Sequence, residues 1–333
     1  MTPIQETIIN NKTSNTPIWL MRQAGRYLPE FREIRKSNPD FINLCLNEDL
    51  SSEITLQPLR RFDLDAGIIF SDILMLPYGL NQKVEFKKNF GPELGTLNLN
   101  IISKVDEIDF IQKLYPIYKA IKKVSENNLI KNKNVIGFVG APWTLLVYMI
   151  NKHSPKNKLI KDFFKDEFLI NRLLVILEKF LKLHIDHQIK NGATVIQIFD
   201  SWAGLLEEKD LPNYVYIPTL NLVDYIKSLN IPVICFPRGI KNYKNYCDIV
   251  KPNVVNIDYN VDPISIQKKI NIPIQGGLDP KVLLTDTENL KKQTLKYLDI
   301  FKDHPYIFNL GHGVLPETEP DMVDYLVKMV KDY

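Results

Sequence analysis

Cysteine is scarce: Cys45, Cys235 and Cys247 are the only three in 333 residues, they stand far apart, and no C-x-x-C pair occurs. That excludes a disulfide framework and argues against a zinc knuckle. Excess charge is missing as well. Forty-two basic side chains against 39 acidic ones leave a formal +3, too little by itself to draw the chain to nucleic acid or to a membrane surface. Any anion site must therefore come from local clustering of basic groups. Apolar runs such as Leu145–Ile150 fall well short of a membrane span. Met1–Thr16 lacks the apolar stretch of a signal peptide, so the cytoplasm is the expected compartment. Neither a short-period repeat nor a low-complexity segment is present.

The composition is that of a globular chain with a sizeable core, 45% hydrophobic and 24% charged. Eight short, apolar or β-branched runs stand out: Ile18–Met21, Gly67–Phe70, Val135–Val139, Thr194–Phe199, Pro232–Phe236, Val254–Ile257, Ile272–Gln275 and Tyr306–Leu310. Near-continuous apolar character is what parallel strands covered on both faces require. Helical material separates most of them. Asp162–Lys190 carries apolar residues at helical spacing with lysines opposite, while Ser154-Pro155, Asp262-Pro263 and the box Thr285-x-x-Glu288 read as helix starts. Strand alternating with helix implies an α/β fold, and eight units over residues 1–333 predict a single (β/α)8 TIM barrel, with an open doubly wound sheet as the alternative. Val84-Glu85-Phe86 and Gly91-Pro92-Glu93 suggest a short hairpin inserted after the second strand.

In a barrel, function sits at the C-terminal ends of the strands. The groups just past the runs are polar, glycine-flanked or aromatic: Arg22-Gln23-Ala24-Gly25-Arg26, Ser71-Asp72, Gly140-Ala141-Pro142-Trp143, Asp200-Ser201-Trp202, Pro237-Arg238-Gly239, Asp258, Gly276-Gly277 and Gly311-His312-Gly313. Arg22 and Arg26, four apart with small residues between, predict a glycine-permitted turn that aims two guanidinium forks at one anion. Arg32 and Arg35 follow, and Arg32 alone reads as solvated. Taken singly, Asp72 and Ser201 read as helix caps and Tyr148 as a core residue. Asp200, Arg238 and Asp258 are rim residues without an assigned role, and His184 and His187 read as exposed and not a metal site.

Pro17–Pro29 and Gly137–Thr144 resemble the two signature motifs of the uroporphyrinogen decarboxylase family. The resemblance continues in Phe70–Leu74, Phe199–Gly204, Gln275–Pro280 and Asn309–Gly313, in the family's order along the whole chain. It implies a cofactor-free, metal-free carboxy-lyase that removes the carboxyl groups of four acetate side chains from uroporphyrinogen to give coproporphyrinogen, as a homodimer. It also implies substrate contacts at Arg22, Gln23, Ala24, Gly25, Arg26, Arg35, Asp72, Tyr148, Ser201 and His312. Of these, Asp72, Arg22, Arg26, Tyr148 and His312 would be catalytic, and Tyr148, His312 or a bound water would deliver protons. Gly277 departs from the asparagine expected there. Two rivals remain at this point. One is a zinc-dependent, corrinoid-linked methyltransferase on the same barrel, opposed by the isolation of Cys235 from any histidine. The other is a non-catalytic tetrapyrrole carrier.

Overall fold

Val135, Ile136, Val195, Ile196, Val254 and Val255 are all at most 2% exposed, as strands covered on both faces must be. The computed structural model describes residues 1–10, 15–87, 90–156, 158–160 and 163–333. Its strands are β1 (Ala66–Ile68), β2 (Val84–Lys87), β3 (Gly91–Leu94), β4 (Asn134–Gly140), β5 (Val195–Asp200), β6 (Val233–Pro237), β7 (Val254–Ile257), β8 (Ile274–Gly276) and β9 (Tyr306–Ile307). Seven of them form one curled, parallel sheet in the order β1-β4-β5-β6-β7-β8-β9. Between the first two lies the antiparallel pair β2 and β3, whose connecting residues 88–89 fall outside the described ones.

The expected first strand, Ile18–Met21, is not a strand. It lies between β9 and β1, bridged in parallel from Ile18 to Phe308. Side chains take the amide hydrogens that a ladder would have used. Asp65 Oδ2 accepts from the Ile18 N–H (2.7 Å), Gln23 Oε1 from Leu20 (3.0 Å) and Asn309 Oδ1 from Met21 (3.0 Å). The Trp19 N–H alone of the four in this segment goes to a neighbouring main chain, the Phe308 carbonyl at 3.3 Å, so the eighth place in the ring carries an isolated bridge rather than a regular pairing and the sheet has seven strands and not eight.

Helices Glu107–Ser125, Glu167–Lys190, Ile217–Ser228 and Thr287–Phe301 are among those that follow the strands. The long third-quarter helix begins at Glu167, capped by Asp166, later than the expected Asp162, which lies outside the described residues. No helix starts at Ser154-Pro155, where a turn closes from the Lys158 N–H to the Pro155 carbonyl. At the Thr285 box the cap is Asp286, whose carboxylate accepts from the Asn289 N–H. Asp262 does cap its helix, Pro263–Gln267.

Inside the ring, Trp19, Met21, Ala66, Ile136, Val195 and Ile234 are part of one apolar cluster that includes Ile4 and Ile8 of the helix Pro3–Asn10. Thr2, just before that helix, hydrogen-bonds Asn134 at the start of β4, so the helix closes the N-terminal end of the barrel. Above it the interior is polar but still buried: Trp19 Nε1 donates to Gln275 (2.9 Å), and Gln275 Nε2 donates to Asn256 (2.6 Å). A filled barrel leaves the opposite, C-terminal mouth as the open end. No helix among the described residues is long and apolar enough to cross a membrane.

Candidate functional site

The turn after Met21 is built around Arg22, which sits at φ 60°. The left-handed residue is therefore the arginine, not Gly25 as the sequence suggested. Gly25 contributes close approach, since a Cβ there would stand 3.1 Å from the Arg22 carbonyl oxygen. Gln23 is fully buried, its amide donating to the Ala66 carbonyl (2.9 Å) and accepting from Leu20. Its side chain braces the turn from inside the core. Tyr27 Oη, also buried, donates to the Gln23 carbonyl at 2.8 Å. Arg32 is a clamp, its guanidinium donating to the carbonyls of Arg26 and Tyr27.

Arg22 interacts through its charge with Asp72, Tyr148, Arg26, Arg238 and His312. Its stem lies against Gly313, so close that a Cβ at that glycine would come within 2.3 Å of Arg22 Cδ. The guanidinium is reached by solvent yet surrounded by protein, the situation of a group on the wall of an open cleft. Burial lowers its pKa, Asp72 and Tyr148 oppose that fall, and the neighbouring charges of Arg26 and Arg238 add to it. Asp72 Oδ1 accepts the Leu74 N–H at 2.9 Å, a bond within the turn and not a cap, since the helix Met75–Gly79 that follows has no side-chain cap, while Oδ2 has no hydrogen bond among the described residues. Burial raises the Asp72 carboxyl from 3.8 to about 6 against the pull of the Leu74 amide and of Arg22.

Tyr148, on the helix Pro142–Asn151 that follows β4, packs edge-on to Trp202 with ring centroids 5.9 Å apart. Its phenol is held up by burial and then by Asp72. The His312 imidazole is pushed down to about 3 by burial, by Arg22 and by Arg238, so it is neutral. Its Nδ1 accepts the Gly313 N–H (2.8 Å), which leaves the proton on Nε2 as a donor. Ala24 and Ser201 are half-buried beside the mouth, Arg26 is exposed, and all three follow barrel elements at the same end. Arg35 lies over the Phe41 ring at 5.6 Å and donates to the Asn38 carbonyl, and its charge and that of Asp72 both reach the Cys45 thiol. Gly277 has φ +105°, a conformation in which an asparagine would be strained.

The sequence placed Arg238 at the rim without a role; its charge acts on both Arg22 and His312. It also left Asp200 unassigned. That carboxyl is 1% exposed, Thr144 donates to its Oδ1 at 2.6 Å, and Oδ2 has no partner among the described residues. Burial raises it to about 7. Its folded pKa lies above the unfolded one, so the stabilising contribution is complete below about pH 4 and is lost as pH rises to about 7. Asp200→Asn is expected to flatten the decline in Tm over that window; an unchanged pH–Tm curve would show that Asp200 does not titrate there. Asp258 is a loop staple, accepting from the Gly239 and Asn260 amides (both 2.9 Å).

His184 corrects the sequence reading: it is 5% exposed, hydrogen-bonded through Nδ1 to Tyr118 Oη, and pushed down to about 3 by burial. Among the described residues no three His, Cys, Asp or Glu side chains gather closely enough to hold a metal ion. Cys235 is buried within β6, its thiol pushed up to about 12. Two cavities lie elsewhere, of about 310 Å³ beside Asp262, Asp279 and Lys296 and about 280 Å³ beside Asn127 and Lys131, and neither is lined by Arg22, Asp72, Tyr148 or His312. Chemistry, not enclosure, singles out the mouth.

A family model described as uroporphyrinogen decarboxylase (URO-D) matches residues 1–333. The uroporphyrinogen decarboxylase of Rickettsia bellii (strain RML369-C) is 39% identical over 332 residues, which cover 98% of this chain and 97% of that protein. That of Orientia tsutsugamushi (strain Ikeda) is 38% identical over 346 residues, covering 100% and 99%. Among solved structures, a methyltransferase from Methanosarcina mazei superposes with a TM-score of 0.79 over 100% of this chain and 99% of its own, at 14% identity, a likeness of fold.

Proposed function

The chain belongs to the uroporphyrinogen decarboxylase family, and from that premise we propose that the arginine-lined mouth around Asp72 is where uroporphyrinogen III loses its acetate carboxyl groups. The protein is a carboxy-lyase of porphyrin biosynthesis. Each turnover exchanges carbon dioxide for a proton, so that an acetate becomes a methyl group and four such events give coproporphyrinogen III. No cofactor or metal is required, because the substrate supplies its own electron sink. Protonation at a pyrrole carbon makes the ring cationic, the bond to the carboxyl carbon breaks, and its electron pair returns to the ring.

What carries this reading is Asp72, one half-buried carboxylate with an oxygen free of hydrogen bonds among the described residues, under the charge of the Arg22 guanidinium. Four pyrrole N–H groups converge at the centre of a porphyrinogen, and an ionised Asp72 accepts from several of them while stabilising the ring cation as it forms. Arg22 and Arg26 hold the peripheral carboxylates, since arginine stays charged where lysine would not. Arg35, Ala24, Gly25 and Ser201 complete the carboxylate contacts, Gly25 and Gln23 through the main chain. Tyr148 and His312 supply neutral donors, a phenol and an Nε2–H. The enzyme works as a cytoplasmic homodimer. Phe168 and Val175, two helical turns apart and 75% and 63% exposed, with Ile217 at 50% on another helix, supply apolar surface for pairing. Sedimentation as a 38.6 kDa monomer would contradict the pairing.

Anaerobic incubation with uroporphyrinogen III, followed by chromatography of the oxidised products, should show porphyrins of seven, six, five and finally four carboxyl groups. Unchanged eight-carboxyl porphyrin from folded protein would overturn the assignment. Because Asp72 must be ionised in the free enzyme, kcat/KM should fall with unit slope as pH drops through about 6. A profile flat from pH 5 to 7 would remove Asp72 from the chemistry.

A further inference from the structure

Seven strands and the segment 17–21 make eight positions around the barrel. Counting from that segment, β1, β4, β5 and β6 follow in one direction and β9, β8, β7 and β6 in the other. β6 therefore stands on the wall opposite Arg22. Of the groups assigned to the site so far, Asp72 after β1, Tyr148 after β4 and His312 after β9 leave within two places of Arg22, and the one group farther round, Ser201 after β5, carries no charge. A polyanionic macrocycle lying across the mouth would then meet no assigned cation on its far side. We infer that Arg238, at the end of β6, is a carboxylate-binding residue of this reaction, securing an acid side chain of the macrocycle from the far wall. The inference rests on the decarboxylation site proposed above.

The residue is built to be fixed at its base and free at its tip. Its N–H donates to the Asp200 carbonyl at 3.1 Å and its carbonyl accepts the Gly204 N–H at 3.0 Å, which ties it to the β5 loop. The next amide, of Gly239, donates to Asp258 Oδ2 at 2.9 Å, which ties it to the β7 loop. The side chain is half-buried, and among the described residues no carboxylate lies within ion-pair distance of it. Its charge is felt by Arg22 and His312, so the guanidinium faces into the same mouth. Three arginines sharing a cleft without a full set of counter-charges repel one another until a polyanion arrives, which makes them a receptor for one.

The test compares wild type with Arg238→Ala, Arg238→Lys and Arg172→Ala, the last removing an exposed charge from the helix Glu167–Lys190. With uroporphyrinogen III as substrate, Arg238→Ala should raise KM about tenfold, the scale of one charge-assisted hydrogen bond. Its kcat should stay within about threefold, and its KM should climb less steeply with salt. The lysine variant should recover much of the loss, and Arg172→Ala should match wild type. If Arg238→Ala does not fold, Arg238→Met keeps the stem and reads the same KM. A KM for either neutral variant no higher than that of Arg172→Ala, or a lysine variant as impaired as alanine, overturns the inference. Failure of the wild type to decarboxylate at all would instead overturn the site assignment beneath it.

Discussion

Asp72→Asn is expected to fold, to melt at a higher temperature than the wild type at pH 7.5, and to decarboxylate about 10³-fold more slowly, a loss of ~4 kcal/mol in transition-state stabilisation. Asparagine keeps the oxygen that accepts the Leu74 N–H, so the turn survives. It loses the negative charge that faces the ring cation. The stability gain follows from linkage. Burial holds the Asp72 carboxyl at about 6 rather than 3.8, so the folded protein keeps a proton that the unfolded chain releases. The wild type is destabilised progressively from about pH 4 to about pH 6, by up to about 3 kcal/mol, and carries that full cost above pH 6. The variant never incurs it. Its Tm advantage should therefore vanish when both proteins are melted at pH 3.5. Activity bought with stability in this way is common at strained sites. A folded Asp72→Asn protein with near-wild-type turnover would end the electrostatic mechanism, and equal Tm values at pH 7.5 would show that the carboxyl is not desolvated.

How much of this was legible in the sequence varies with what each residue spends its polar groups on. The runs at residues 135–139, 194–199, 232–236 and 254–257 became β4 to β7 within a residue or two, because β-branched, doubly covered strands announce themselves by composition alone. Ile18–Met21 has the same composition and is no strand. Three of its four amide hydrogens go to the side chains of Asp65, Gln23 and Asn309, the last 288 residues away from Met21, and no local pattern encodes such a distant competitor. Gln23 shows the complementary limit: belonging to a motif says nothing of whether a side chain faces the mouth or the core. His184 looked exposed beside lysines because its hydrogen-bond partner, Tyr118, lies 66 positions earlier. Arg238, a single arginine between proline and glycine, could be placed at the rim but given no role until the ring order set it across from Arg22. The cluster at residues 22, 72, 148 and 312 was readable because resemblance to a family compresses exactly this kind of distant information into short motifs.

Arg22 concentrates strain, charge and contact in one residue, and its variants should separate them. At φ 60° a non-glycine backbone costs about 1 kcal/mol. Arg22→Gly should accordingly be more stable than Arg22→Ala by about that amount, since glycine adopts the left-handed region freely and alanine does not. Both should raise KM for uroporphyrinogen about 100-fold, ~2.7 kcal/mol, because a charged hydrogen-bonding partner of the substrate is gone. Gly313→Ala reaches the same site from the other side. Its Cβ would stand 2.3 Å from Arg22 Cδ and 2.6 Å from Cγ, so the arginine must swing away while its charge remains. That variant should lose affinity at low salt nearly as fully as Arg22→Ala, yet keep the wild-type steepness of KM against salt, because long-range attraction depends on net charge and not on where the fork points. If Gly313→Ala binds like wild type, the side chain is mobile and its observed seat is incidental. If Arg22→Ala does, the positive turn does not hold the substrate, and the strain at residue 22 is left without a purpose.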